Sequence, residues 1–266
     1  MIHKEQLQGR LPAEPGMRIR ETYVRTAVLV MLFFSGGEYH FVFQKRAPGI
    51  RQNGEIGFPG GVCHPDDQSS LQTALRETVE EMGIAADRIQ VLGALDTLIA
   101  PMGAVVDAYV GIADIGSLAE LRPNADEVAE VFSVPVSFFE RHEPERYETV
   151  LKVHPVWKDE ETGEETVLFP ARELGLPERY AKPWGGMKHS IYVYRVDGRM
   201  IWGITARFIR DVVALLKRKN SETRGIGDEH ESNDDQLVCD LLWLCGDSAE
   251  RSRSRGCMPR GDEKRL

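Results

Sequence analysis

The chain has 266 residues, 42% of them hydrophobic, and a formal net charge of −9. That length allows one large domain or two small ones, and the acidic balance removes any global electrostatic case for binding nucleic acid. No apolar run approaches the ~20 residues of a membrane span, and the opening Met1-Ile2-His3-Lys4-Glu5-Gln6 carries no apolar signal core, so a cytoplasmic protein without a membrane partner is expected. The cysteines, Cys63, Cys239, Cys245 and Cys257, form no C-x-x-C pair, so neither a zinc site nor a disulfide framework is indicated.

Residues 1–22 read as a short helix and a lead-in. Ala27–Phe34 is a continuous apolar run suited to a buried strand, Ser35-Gly36-Gly37-Glu38 is a turn, and Tyr39–Arg46 is a second strand, so the three form a hairpin. A Gly- and Pro-rich segment runs from Pro48 to Gly61. The spacing predicts a helix over 69–82, stopped by Gly83. Strands are expected over Ile89–Leu98, Val105–Ala113 and Glu130–Pro135. Residues 141–190 hold a further hairpin around Asp159–Glu165 and a loop rich in Gly, Pro and Lys. Ile191–Arg195 is a strand, and Ile204–Lys217 is an amphipathic last helix. The domain is thus expected over 23–219. Residues 220–266 turn polar and charged, which predicts a disordered tail, with an apolar island at Gln236–Cys245 that reads either as a docking helix or as a weakly ordered segment. The expected fold class is α+β, a mixed sheet carrying one functional helix and one C-terminal helix.

The helix over 69–82 carries the chemistry. Glu77, Glu80 and Glu81 fall within about 100° of arc, while Leu71, Leu75, Val79 and Met82 fall opposite and are expected to be its buried stripe. Three carboxylates this close repel one another and favour protonation. A hard divalent cation with oxygen preference resolves the conflict, and Mg²⁺ or Mn²⁺ are the ions that suit such ligands.

Arg76-Glu77-Thr78-Val79-Glu80-Glu81-Met82-Gly83-Ile84 resembles the second half of the Nudix box, with Thr78 where an aliphatic residue is usual. The interval from Gly61 to Arg76 is one residue longer than the general box, and Asp67 stands near the place of its first Glu. With Phe58-Pro59-Gly60-Gly61 before it and Pro65-Asp66-Asp67 after it, that longer interval is similar to the coenzyme A diphosphatase branch. Pro123–Phe132, Val134-Pro135 and Ile201–Ala206 resemble downstream parts of the same branch. Arg46 and Arg51 match two of its arginines; Gln52-Asn53-Gly54 is one residue short and lacks its histidine.

The resemblance implies a Nudix fold, a mixed sheet packed between helices in an α/β/α sandwich. It also implies metal-dependent hydrolysis of a diphosphate, with Glu77, Glu80 and Glu81 as metal ligands and Glu81 and Glu80 as catalytic groups. Glu127 is a candidate base outside the helix, with Glu130 beside it, and the alternative for each is a solvated surface acid. Arg46, Arg51 and Gly61 are the expected substrate-binding residues, with Lys45 the next nearest cation. Arg76 and Gly60 are expected to support the site, Arg76 by pairing with Glu80 one turn on. The partner is a small nucleoside diphosphate such as coenzyme A, cleaved to 3′,5′-ADP and a phosphopantetheine. Two alternatives stay open: another nucleoside diphosphate derivative, such as ADP-ribose or a dinucleotide, and a silent binding module of the same fold. A homodimer is compatible with the sequence.

Overall fold

The computed structural model describes residues 22–217. The lead-in up to residue 21 and the tail with its island at Gln236–Cys245 lie outside the described residues. Among those described, no helix is long and apolar enough to cross a membrane.

The chain opens with β1 (Val24–Ser35) and β2 (Glu38–Arg46), paired antiparallel as the hairpin predicts. Two short strands follow, β3 (Ile56–Gly57) and β4 (Gly60–Val62), then helix α1 (Ser70–Met82). Next come β5 (Ile89–Ala94), β6 (Leu98–Ala100), β7 (Ala104–Ala113), β8 (Val128–Pro135) and a short helix α2 (Val136–Arg141). The last part holds β9 (Glu145–Val153), β10 (Val156–Lys158), β11 (Glu165–Val167), β12 (Trp184–Val196), β13 (Arg199–Trp202) and α3 (Gly203–Lys217).

The main sheet runs β3-β2-β1-β7-β5, with β4 on β1, β6 on β7 and β8 on β2. It is mixed, because β1 pairs with β7 in parallel while its other ladders are antiparallel. Parallel neighbours with both faces covered read as unbroken apolar runs, and β1 shows why. Leu29, Met31 and Phe33 join Ala74 and Met82 of α1 in one buried cluster. Val30 and Leu32 join Phe139 of α2 and Phe208, Ile209 and Val212 of α3 in another. The mixed sheet therefore lies between helices, as the α+β expectation holds.

Three expectations are corrected. The strand expected over Ile89–Leu98 is two strands, β5 and β6, because the register on β7 changes between Ala94, opposite Tyr109, and Leu98, opposite Val106. The strand at Ile191–Arg195 begins earlier, at Trp184, since the Gly-rich stretch read as loop pairs with β9. And the buried face of α1 is Thr73, Ala74, Thr78, Glu81 and Met82. Leu71, Leu75 and Val79 are half-buried and line a surface groove with Ala86. The rotation is affordable in polar terms because Thr78 returns its hydroxyl to Ala74 O at 2.6 Å and Thr73 gives its own to Asp67 at 2.8 Å.

Candidate active site

Local sequence fixes α1 at both ends. Ser69 caps the N-terminus, its hydroxyl accepting from Gln72 N at 3.2 Å, and Gly83 closes the other end in the left-handed conformation, its N–H on Val79 O at 3.0 Å. The helix thereby presents its acids to β4 and the end of β2.

The three glutamates meet three different environments. The Glu81 side chain is 4% exposed, Glu77 18% and Glu80 53%. Glu81 Oε2 accepts from Gly60 N at 2.9 Å and Gln44 Nε2 at 2.8 Å, while Arg46 Nη1 stands 3.8 Å from its other oxygen. Burial dominates nonetheless and pushes the Glu81 carboxyl up to about 7, with the Gly60 and Gln44 hydrogen bonds opposing it. Burial also raises Glu77, against the pull of Arg76 and with the charges of Glu80 and Glu127 adding to it.

The glycine pair sets how closely β4 approaches. A Cβ on Gly60 would sit 2.7 Å from Val28 Cα, at a φ of 155° that L side chains rarely adopt. A Cβ on Gly61 would sit 2.5 Å from Glu77 Oε1. Both positions must lack a side chain for backbone and carboxylates to share this corner.

Arg76 is the clamp. It reaches Asp67 with Nε at 3.2 Å and Nη2 at 3.1 Å, a bidentate grip, and gives Nη1 to Glu77 at 2.9 Å and Glu80 at 3.0 Å. The expected Arg76–Glu80 pair is present, but the principal partner is Asp67, which also accepts from His64 N and Thr73 Oγ1. These donors, Arg76 first, hold the Asp67 carboxyl well below its usual range. The pair ties the box loop to the helix beside an open cleft of about 530 Å³, lined by Val62, Cys63, His64, Asp67, Arg76 and Glu77 among others.

The structure brings some candidates together and separates others. Arg46 lies by Glu81 and also donates from Nε to the Arg51 carbonyl at 3.0 Å, which bends the following loop back toward β2. Arg51 itself is exposed. Strand alternation puts Lys45 on the opposite sheet face from Gln44 and Arg46. Glu127 is half-buried and couples electrostatically to Glu77. Glu130 instead pairs with Arg199, whose guanidinium also stacks 4.4 Å over Phe132, so Glu130 belongs to a packing clamp. Cys63 packs, partly buried, on the α1-side core.

Gln44 is the residue that sequence reading passes over. It is 1% exposed, it fixes Glu81, and its own Oε1 is buried without a hydrogen-bond partner among the described residues. A single polar residue closing the apolar run Phe41-Val42-Phe43 is the only signal that could have flagged it.

No three His, Cys, Asp or Glu side chains converge as a ready-made metal cage among the described residues. Arg76 holds Glu80 and Glu77 on its guanidinium instead. The donor set still fits a hard cation. Buried Glu81 and half-buried Glu77 are carboxylates held toward their neutral forms by burial, and Gly61 leaves the space against Glu77 free of side chain.

With this geometry in hand, the NUDIX domain family matches residues 23–153. Among curated proteins, the uncharacterized Nudix hydrolase NudL of Photorhabdus laumondii is 29% identical over 216 residues, 81% of this chain and 96% of that one. The NudL of Yersinia pestis is 32% identical over 187 residues, 70% of this chain and 76% of the other. The mitochondrial coenzyme A diphosphatase NUDT8 of Homo sapiens is 38% identical over 131 residues, 48% of this chain; the match spans 55% of that relative's length. Fold, acid-bearing helix and relatives together define a pyrophosphohydrolase acting on phosphorus-containing anhydrides. The chain belongs to the Nudix hydrolase family.

Proposed function

We propose that the protein hydrolyses the diphosphate of coenzyme A or an acyl-coenzyme A, giving 3′,5′-ADP and phosphopantetheine or its acyl derivative. The observation that carries the reaction is Glu81, a buried carboxylate gripped by Gly60 N–H and Gln44 beside Arg46. The substrate reading is supported by the lengthened box interval, which Asp67 and Arg76 close, and by relatives bearing the name coenzyme A diphosphatase.

In this reading Glu77, Glu80 and Glu81 would hold Mg²⁺ or Mn²⁺. The bound ion would neutralise the diphosphate and acidify the attacking water. Gly60 and Arg76 keep the corner in shape, and Gly61 admits phosphate oxygens to the backbone. Glu127, half-buried and facing Glu77 in charge, is the base that takes the proton from water. Arg46 and Arg51, linked through the Arg51 carbonyl, bind substrate phosphate oxygens. Water adds to phosphorus, the bridging P–O bond breaks, and the two halves leave as separate phosphates.

The loop after Arg51 favours one second reading. Gln52 takes a positive φ of 60° there, and the altered Gln52-Asn53-Gly54 stretch leaves room for another nucleoside diphosphate derivative, such as ADP-ribose. The test is hydrolysis of coenzyme A, ADP-ribose and NADH with Mg²⁺ or Mn²⁺, for the wild type and Glu81→Gln. Coenzyme A should turn over, and Glu81→Gln should lose about 10³-fold in kcat. Cleavage of ADP-ribose with coenzyme A untouched replaces the substrate; cleavage of none turns the reading toward a binding module.

A further inference from the structure

Helix α1 ends with carbonyls that no further turn of helix can satisfy. Gly83 N–H takes the Val79 carbonyl. Two more, Glu81 O and Met82 O, are met by a loop far along the chain. Asn124 N–H donates to Glu81 O and Arg122 N–H to Met82 O, each at 3.0 Å. The fit is close, since a Cβ on Gly83 would stand 2.1 Å from the Arg122 carbonyl oxygen. Leu121 holds one end of the loop in the core cluster it shares with Met82 of α1. Val128, 4% exposed, holds the other end at the start of β8.

Between those anchors the loop makes one tight turn. The Asn124 carbonyl accepts from Glu127 N at 3.0 Å and from Val128 N at 2.8 Å, and the Asn124 side chain accepts from Asp126 N at 3.1 Å. A side-chain oxygen that takes the N–H two residues on makes an Asx turn, to which asparagine is suited. The Glu127 carbonyl in turn accepts from Ala47 N at 2.9 Å, next to Arg46 at the end of β2. Both main-chain polar groups of Glu127 are therefore used. Ala125 and Asp126 are exposed, whereas Asn124 and Glu127 are half-buried. The turn thus sends its other side chains to water and keeps Glu127 where Glu77 feels its charge.

We propose that Asn124 is a positioning residue for hydrolysis: it locks the turn that hangs Glu127 from the main chain of Glu81, so that the acid on the loop and the acids on the helix are held as one unit. This rests on the reading above, in which Glu127 takes the proton from water, and adds to it the part of the chain that fixes that group. A misplacement of about 1 Å costs roughly 100-fold in rate. The Asn124 side chain supplies one hydrogen bond of several in the turn, so losing it should cost less.

The test uses the full chain and measures kcat and KM for coenzyme A with Mg²⁺. It also measures Mn²⁺ affinity of the substrate-free protein by electron paramagnetic resonance, and the urea midpoint. Asn124→Ala should lower kcat about 10-fold and leave KM and Mn²⁺ affinity within about 2-fold of wild type. Asn124→Ser keeps an acceptor oxygen for Asp126 N without adding charge, and should recover to within about 3-fold of wild-type kcat. Glu127→Gln should lower kcat by about 10²-fold or more. Adding Asn124→Ala to it should cost no further factor, because a positioning residue acts only through the group it positions. Losses that multiply in the double variant, Mn²⁺ affinity that falls with kcat, or wild-type kcat in Asn124→Ala would each overturn the proposal. So would a kcat that tracks the urea midpoint across both Asn124 variants, which is what a turn serving stability alone would give. Wild-type kcat in Glu127→Gln would remove the base itself, and the proposal with it. Coenzyme A left intact by the wild type would instead overturn the substrate reading, and the same series on ADP-ribose would still decide the role of Asn124.

Discussion

The corner between α1 and β4 and the distal ribbon of β9 and β12 invert each other. In the corner a carboxylate is buried, Glu81 at 4% exposure, while apolar Leu71 and Leu75 are left half in water. In the ribbon apolar Val150 and Val153 face water while charged Glu148 and Lys188 pair on the surface. Folding alone would favour neither arrangement, since burying an ion costs free energy and exposing valine forgoes it. The difference lies in what surrounds the anomaly. Around Glu81 the neighbours are fixed: the Gly60 N–H, the Gln44 amide and the Arg46 guanidinium. Val150 is held through the ladder opposite Lys188, and its side chain is left in water.

The largest effect should come where the corner is tightest. Gly60→Ala places a methyl against the Ala27 carbonyl and Val28, all backbone or held by the sheet, at a φ that alanine resists. It should cost about 3 kcal/mol or more in urea unfolding. Gly61→Ala meets only the end of the Glu77 side chain, which can swing away. Its stability should stay within about 1 kcal/mol of wild type, while kcat falls 10- to 100-fold as Glu77 is displaced. Equal stability losses for the two would show that the corner is no tighter than ordinary packing.

Next in size is the pH dependence that Glu81 confers. Burial raises its pKa from the ordinary 4.5 to about 7. Between those values the folded chain keeps a proton that the unfolded chain has released, so stability of the metal-free protein falls as pH rises across that window, by at most roughly 3 kcal/mol. Glu81→Gln should flatten this part of the stability–pH curve, and a slope unchanged in that variant would mean Glu81 does not ionise there. Gln44→Met removes the buried donor without removing volume. It should keep the fold, extend the fall in stability to higher pH and lower kcat about 10-fold, because the carboxylate loses a hydrogen bond to its charged form.

Much of the corner is readable in the chain because its signals are local. Ser69 and Gly83 mark the ends of α1, and Gly60-Gly61 and Arg76 stand at fixed intervals from the glutamates. What escapes is whatever depends on the partner surface. Helical spacing puts Leu71, Leu75 and Val79 on the buried side, yet the sheet takes Thr73 and Thr78, whose hydroxyls are satisfied at short range and so carry no apolar signal. Gln44 escapes because its meaning comes from Glu81, 37 positions away in sequence. The ribbon escapes because Gly185 and Gly186 read as loop, although both lie within β12.

The smallest effect tests the exposed side of the comparison, in the separate β10–β11 hairpin. Trp157 of β10 is 58% exposed, while Phe208 of α3 is 2% exposed in the core cluster. Trp157→Ala should change unfolding stability by no more than about 0.5 kcal/mol. Phe208→Ala should cost about 3–5 kcal/mol through lost transfer free energy and the cavity it leaves. The contrast is informative because an exposed tryptophan already has most of its ring in water in the folded state, so truncation removes little burial. A loss above about 1 kcal/mol for Trp157→Ala would mean that this end of the molecule has a packed interior of its own, and the inversion between corner and ribbon would then be one of charge alone.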